Sequence, residues 1–218
     1  DNVRVGRVMA EGMVKVKQDG NWALIEGDSS MAIINLFRAG QMEVLQPLID
    51  SGKIKVVATQ NIENWKPDVA QSTMEQILTA NDNKIDAVLS MNDGMAGGVA
   101  AALAAQGMLG IPLSGQDGDI AALNRIAKGQ QTVTVWKNAH DLGMAAGKAA
   151  VELAGGKTLL EVSGNATFKT PSGIEQPAIL LTPIGIMKDN LNLTIDSGWA
   201  TKEKVCDGVT ENAPPACQ

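Results

Sequence analysis

An amide, a carboxylate and an ammonium group stand at the ends of three apolar runs: Asn92 in Asp86-Ala-Val-Leu-Ser-Met-Asn-Asp93, Asp117 in Ile111-Pro-Leu-Ser-Gly-Gln-Asp117, and Lys137 in Thr132-Val-Thr-Val-Trp-Lys137. The first run passes directly into Gly94-Met-Ala-Gly-Gly-Val-Ala-Ala-Ala-Leu-Ala-Ala105, a helix of small residues. Apolar runs of this length read as buried parallel strands, and in open α/β sheets ligands lie just outside the carboxyl ends of such strands. Neighbouring strand ends would therefore present a donor-acceptor, an acceptor and a donor to one small polar ligand. Each group also has a purely structural use. Asn92 and Asp93 are good caps for the helix that follows, Asp117 can cap one beginning near Asp119, and Lys137 suits a solvated sheet edge.

Positioning these groups requires alternating elements. A helix is expected over about Val5 to Lys15 and a strand over Asn21-Trp-Ala-Leu-Ile-Glu26. Spacing of Ile34, Phe37, Met42 and Leu45 predicts a helix to about Asp50, followed by the strand Ile54-Lys-Val-Val-Ala-Thr59. Pro67 suits the first turn of a helix ending near Ala80. Strands alternating with helices of this size imply right-handed βαβ crossovers and a doubly wound parallel sheet, hence an α/β fold. After Lys137 the pattern changes to an Ala/Gly-rich helix, about His140 to Ala154, and then a Gly/Pro/Thr-punctuated stretch. Domain crossovers are expected near residues 135–139 and near Thr182-Pro183.

Composition excludes several classes. The 218 residues are 44% apolar, enough for a sizeable core, and no apolar run is long enough to cross a membrane. A formal net charge of −6 without a basic cluster gives nucleic acid no foothold, so neither nucleic acid nor membrane insertion is expected. Cys206 and Cys217 are too far apart for a CxxC motif; they read as a tail disulfide of an oxidising compartment or as two free thiols in a frayed terminus. The chain begins at Asp1 with a helix where a wound sheet usually starts with a strand, so an amino-terminal portion is expected upstream.

Catalytic and cofactor motifs fail on inspection. Gly155-Gly-Lys-Thr158 lacks the earlier glycine of a phosphate loop, that position being Val151, and reads as a helix terminus. Gly94, Gly97 and Gly98 lack dinucleotide-binding spacing, and Asn81-Asp-Asn-Lys-Ile-Asp86 lacks the glycine and closing glutamate of a calcium loop. His140, the single histidine, has no nucleophile in a recognisable setting. No enzyme activity, cofactor or metal is expected.

Longer stretches carry a resemblance. Phe37-Arg-Ala-Gly-Gln-Met42, Val44-Leu-Gln-Pro47, Asp50-Ser-Gly-Lys-Ile-Lys-Val-Val57, Leu78-Thr-Ala-Asn-Asp-Asn-Lys-Ile-Asp-Ala87, Ala104-Ala-Gln-Gly107, Ser114-Gly-Gln-Asp117 and Leu181-Thr-Pro183 resemble the periplasmic xylose-binding proteins of bacterial ABC transporters. These belong with the ribose- and galactose-type periplasmic binding proteins. The resemblance implies a type I fold: two doubly wound lobes, joined by hinge strands, that close over a sugar. Residues 1–135 plus 183–218 would form the carboxyl-side lobe, and residues 139–182 would belong to the other, whose start is absent.

By the same resemblance Trp65, Asn92, Asp117 and Lys137 are the sugar contacts. Trp65 would cover the C–H face of a pyranose, a role that competes with burial in the core. Hydrogen bonds to charged groups contribute about 1.5–3 kcal/mol against about 0.5–1.5 for neutral ones, so Asp117 and Lys137 would weigh most. The implied partners are a monosaccharide, most simply D-xylose or a related aldopentose, and a membrane permease. A chemoreceptor or sensor kinase is an alternative partner, and a lactose-repressor-like ligand-binding core is an alternative setting for the fold. One stretch departs from the family. Where its members carry an acidic and amide-rich run facing the sugar, this chain has Asp28-Ser-Ser-Met-Ala-Ile-Ile-Asn35, with Met31 and Ile33 at positions expected to bind hydroxyls.

Overall fold

A computed structural model describes residues 1–170 and 172–218. In chain order, α1 (Asn2–Val14), β1 (Gly20–Glu26), α2 (Ile33–Asp50), β2 (Ile54–Asn61), α3 (Pro67–Ala80), β3 (Ala87–Ser90), α4 (Asp93–Ala105), β4 (Ser114–Gln116), α5 (Ile120–Ala127) and β5 (Val133–Trp136) alternate without interruption. β1 pairs in parallel with β2 on one side and β3 on the other, and β4 pairs in parallel with β5. A bridge between Val88 and Leu113 joins the two groups, and β8 (Ile184–Ile186) closes the far edge antiparallel to β5. The order is therefore β2-β1-β3-β4-β5-β8. Its winding reverses at β1, which makes the gap beyond the ends of β1 and β3 the topological switch point.

Burial explains why these runs are strands covered on both faces. Trp22, Ala23, Leu24 and Ile25 are all buried along β1, and all of β3 and β5 is buried, so the sheet lacks the in-out alternation of a one-sided one. Glycines let the helices close up. A Cβ at Gly6 or Gly40 would collide with the backbone of the neighbouring helix between α1 and α2, and one at Gly98 would strike the Pro67 carbonyl where α3 crosses α4. Pro67 sits in the first turn of α3, where its missing N–H costs nothing.

The described residues form two compact units, Asn2–Trp136 with Pro183–Gln218, and Lys137–Thr182 with Asp1. The second unit contains α6 (Ala139–Ala154), the short α7 (Leu159–Val162) and the hairpin β6 (Thr167–Lys169) with β7 (Glu175–Pro177). Asn138 caps α6 by accepting the His140 N–H at 3.0 Å, and Thr158 with Glu161 forms a capping box on α7. None of α6 is buried, and Leu142, Met144, Val151 and Leu153 are exposed along it. Gly156, just past its end, has φ +93, the left-handed turn its sequence implies.

After β8 the chain adds α8 (Asn192–Asp196) and α9 (Lys202–Cys206), and Cys206 is joined to Cys217 in a disulfide. This terminal segment has its own apolar cluster, in which Leu191, Ala200 and Val205 pack with Leu123 and Ile126 of α5 and with Trp136.

Candidate functional site

Trp65 lies in the short turn between β2 and α3, where Asn64 and Trp65 both have left-handed φ, 52° and 57°. Such conformations are costly for residues with a Cβ. The turn is held by Asp28, whose Oδ2 accepts the Asn64 N–H at 2.8 Å while its Oδ1 accepts from the Ser30 hydroxyl and N–H at 2.7 and 2.9 Å. Hydrogen bonding, first from the Ser30 hydroxyl, holds the Asp28 carboxyl below its ordinary range. A Cβ added at Gly27 would meet three consecutive carbons of the Trp65 benzo ring at nearly equal distances, so one ring face lies flat on Gly27. The indole is half-buried rather than part of the core.

Asn92 ends the β3 segment and caps α4, its Oδ1 accepting the Met95 N–H at 2.9 Å. The predicted strand through Asp93 therefore stops at Ser90, and the capping role holds. The carboxamide NH2 makes no hydrogen bond among the described residues, so Asn92 offers chiefly a donor. A Cβ at Gly94 would lie 3.7 Å from both this nitrogen and Pro67 Cγ, which puts the amide next to the segment that carries Trp65.

Asp93 turns inward. Its carboxyl is 1% exposed, and Oδ2 accepts from Gly118 N, Asp119 N and Thr134 Oγ1 at 3.0, 3.0 and 2.7 Å. Oδ1 accepts from Gln131 Nε2 at 2.9 Å. Arg125 supports the same network, donating to Gln131 Oε1 and to the Asp93 carbonyl, both at 3.0 Å. Burial outweighs these bonds and pushes the carboxyl up to about 7.

Asp117 follows β4, its N–H still bonded to the Val135 carbonyl at 3.0 Å and its φ at 108°. The helix that follows, α5, begins at Ile120 with Asp119 as the flanking residue. Gln116 Nε2 donates to Asp117 Oδ1 at 3.0 Å and orients the carboxylate. Gly118 is pinned on both sides, its N–H by Asp93 and Thr134 and its carbonyl by Trp199 Nε1 at 2.7 Å.

Trp65, Asn92 and Asp117 thus stand past the ends of β2, β3 and β4 within one unit, linked through Pro67 and through Asp93. Lys137 directly follows Trp136, the last residue of β5, and opens the second unit. In the departing loop, Met31 is exposed and its sulfur accepts the Trp65 Nε1–H at 3.1 Å, while Ile33 is half-buried against the core. Met31 therefore packs on the indole. Two features escaped the sequence. Glu26, 1% exposed at the tip of β1, is paired in bidentate fashion with Arg38 of α2, and Asn61 Nδ2 donates to the Gly27 carbonyl at 2.9 Å. An acid ending an otherwise apolar strand was the available signal. The other is the inward turn of Asp93, which nothing in Asn92-Asp93 distinguishes from ordinary capping.

Among the described residues no cluster of His, Cys, Asp and Glu could hold a metal, and no helix is long and apolar enough to cross a membrane.

A parallel α/β sheet with polar groups gathered past adjacent strand ends is the layout of a small-ligand receptor. Residues 1–158 match the periplasmic binding protein domain, and the chain belongs to the periplasmic binding protein family. It is similar to the D-xylose-binding periplasmic proteins of Haemophilus influenzae and Escherichia coli, 45% identical to each over 208 and 205 residues, or 94% and 93% of this chain. It spans 61% of the length of both. Among solved structures it resembles a carbohydrate transporter solute-binding protein from Chloroflexus aurantiacus in complex with D-glucose, with TM-score 0.79, 26% identity, and coverage of 94% of this chain and 67% of that one. The type I periplasmic-binding-protein fold follows from the family and this architecture together.

Proposed function

We propose that this chain is most of the solute-binding component of a sugar ABC transporter and that it binds D-xylose or a related aldopentose in the periplasm. The observation that carries the reading is the placement of an indole face, an amide donor and an oriented carboxylate past the ends of β2, β3 and β4 of one parallel sheet. A pyranose has an apolar C–H face and a rim of hydroxyls, each both donor and acceptor. Trp65 covers the face, Asp117 accepts from hydroxyls, Asn92 donates through its NH2, and Lys137 donates from beyond β5. Residues 1–135 with 183–218 form one lobe and residues 139–182 contribute to the other. Contacts from both lobes favour the closed form, which a membrane permease recognises.

Similarity to the xylose-binding proteins supports this assignment, and the Cys206–Cys217 disulfide agrees with an oxidising compartment. A sensory use, in which the closed form engages a chemoreceptor or sensor kinase, needs the same site. The repressor-like reading is less favoured, because reducing cytoplasm would not keep that disulfide. The protein acts as a receptor and not as an enzyme.

Calorimetry on the full-length protein with D-xylose, D-ribose, L-arabinose and D-glucose tests the proposal. Binding of one aldose at micromolar strength, about 8 kcal/mol net, is the expected result. Failure of all four to bind would overturn it.

A further inference from the structure

Trp199 lies far from Asp117 in sequence, in the turn after α8, yet its Nε1–H is bonded to the Gly118 carbonyl at 2.7 Å. Asp117 and Gly118 both have positive φ, 108° and 76°, so the chain turns sharply as it leaves β4. A non-glycine residue rarely adopts such a φ unless its surroundings hold it there. Asp93 and Thr134 hold the Gly118 N–H, and Trp199 ties the Gly118 carbonyl to the carboxyl-terminal segment.

The Trp199 ring is itself fixed. It meets Trp136 edge to face, with centroids 5.8 Å apart and planes at 60°, and a Cβ at Gly118 would lie 2.6 Å from Trp136 Cδ1. Its own N–H is bonded to the Thr194 carbonyl at 3.0 Å. The segment beyond is tied to α5, where Asn124 Nδ2 donates to the carbonyls of Val205 and Asp207 at 2.9 and 2.8 Å, and it is closed by the Cys206–Cys217 disulfide.

We infer that Trp199 is a positioning residue for sugar binding, holding the Asp117-Gly118 turn so that the Asp117 carboxylate is aimed at the ligand, with the disulfide-closed carboxyl-terminal segment as its support. The inference rests on the proposed sugar site. Without the indole N–H, the Gly118 carbonyl turns to water, the turn samples further conformations, and binding must select the one that presents Asp117.

The test uses the full-length protein and whichever of D-xylose, D-ribose, L-arabinose and D-glucose binds it most tightly. Trp199→Phe keeps a ring and drops the donor. Calorimetry should show affinity about three- to tenfold weaker with wild-type Asp117 and unchanged in an Asp117→Ala background, since a residue acting through Asp117 has nothing left to position. Amide exchange at Gly118 and Asp119 should quicken in the same variant. An equal loss in both backgrounds, or no loss in either, overturns the inference while leaving the sugar site standing. Should Asp117→Ala itself leave affinity untouched, the site reading fails and this inference falls with it. Where Trp199→Phe folds poorly, a Cys206→Ala/Cys217→Ala pair gives the second reading. A loss confined to the Asp117 background supports the inference, and no loss or an equal loss in both overturns it.

Discussion

Asp93 Oδ2 accepts the Gly118 N–H at 3.0 Å, so the residue after the candidate amide holds the residue after the candidate carboxylate. Asn92 caps α4, Asp93 faces in and anchors the β4–α5 turn, and the two candidate ligand groups share one mechanical frame. The same oxygen takes the Asp119 N–H and the Thr134 hydroxyl, so three donors, two from the β4–α5 turn and one from β5, meet on it.

The Asp93 carboxyl should make stability depend on pH. Burial raises its folded value from 3.8 to about 7, so the native state holds a proton that the unfolded chain has released between those limits. Its contribution is complete below about pH 4 and is lost as pH rises through about 7. The unfolding free energy from urea titrations should fall over that window by up to about 1.4 kcal/mol per pH unit from this one group. Asp93→Asn should remove that part of the slope and cost about 1–3 kcal/mol, because its NH2 must face a donor. An unchanged slope in Asp93→Asn would show that another group titrates.

Gly27 should act on ligand affinity through Trp65. The indole lies flat on Gly27, and Gly27 is not among the residues with positive φ, so Gly27→Ala strains no dihedral and acts by displacing the ring. Trp65→Ala in the full-length protein should weaken sugar binding by about 1–3 kcal/mol, roughly five- to 150-fold. Gly27→Ala should cost a comparable amount, and the double variant little more than Trp65→Ala alone. Additive losses in calorimetry would mean that Gly27 serves some other purpose.

Much of this frame was legible in the sequence, and the reasons are local. Pro67 marks the start of α3, and the apolar runs into Ser90, Gln116 and Trp136 mark fully buried strands because their periodicity leaves no polar face. Long-range partners were not legible. Whether Asp93 points at solvent or at Gly118 is decided by residues 25 positions away, and Trp199 reaches Gly118 across 81 positions. Glu26 and Arg38 are an ion pair whose two halves read separately as a strand end and a helix surface. The Asp28–Asn35 stretch reads as a departure from the family, yet its packing was invisible: Met31 contacts Trp65 through sulfur, and Asp28 spends both oxygens on holding the loop.

Asp117 should prove more costly to remove than Asn92. A charge-assisted bond contributes about 1.5–3 kcal/mol against about 0.5–1.5 for a neutral one. Asn92 Oδ1 is already committed to Met95. Asp117→Ala should weaken binding about tenfold to 150-fold in the full-length protein. Asn92→Asp, which keeps the cap and loses the NH2, should cost about two- to tenfold with little change in melting temperature. Equal losses for the two variants would contradict the role assigned to the carboxylate.

The 218 residues alone should bind sugar weakly or undetectably. They span 61% of the length of the xylose-binding relatives, and the unit Lys137–Thr182 leaves Leu142, Met144, Val151, Leu159 and Ile179 exposed, apolar surface of the kind that marks a contact with further protein. One wall of strand ends can supply stacking and a few hydrogen bonds, but ordering the sugar and desolvating its hydroxyls offset most of that gain. Closure contributes affinity only if a second wall adds partners for the remaining hydroxyls. Titrating the bare chain with D-xylose beside the full-length protein should therefore show affinity at least about a hundredfold lower. Equal affinity in the two titrations would place all the binding determinants within residues 1–218 and remove the need for a second wall.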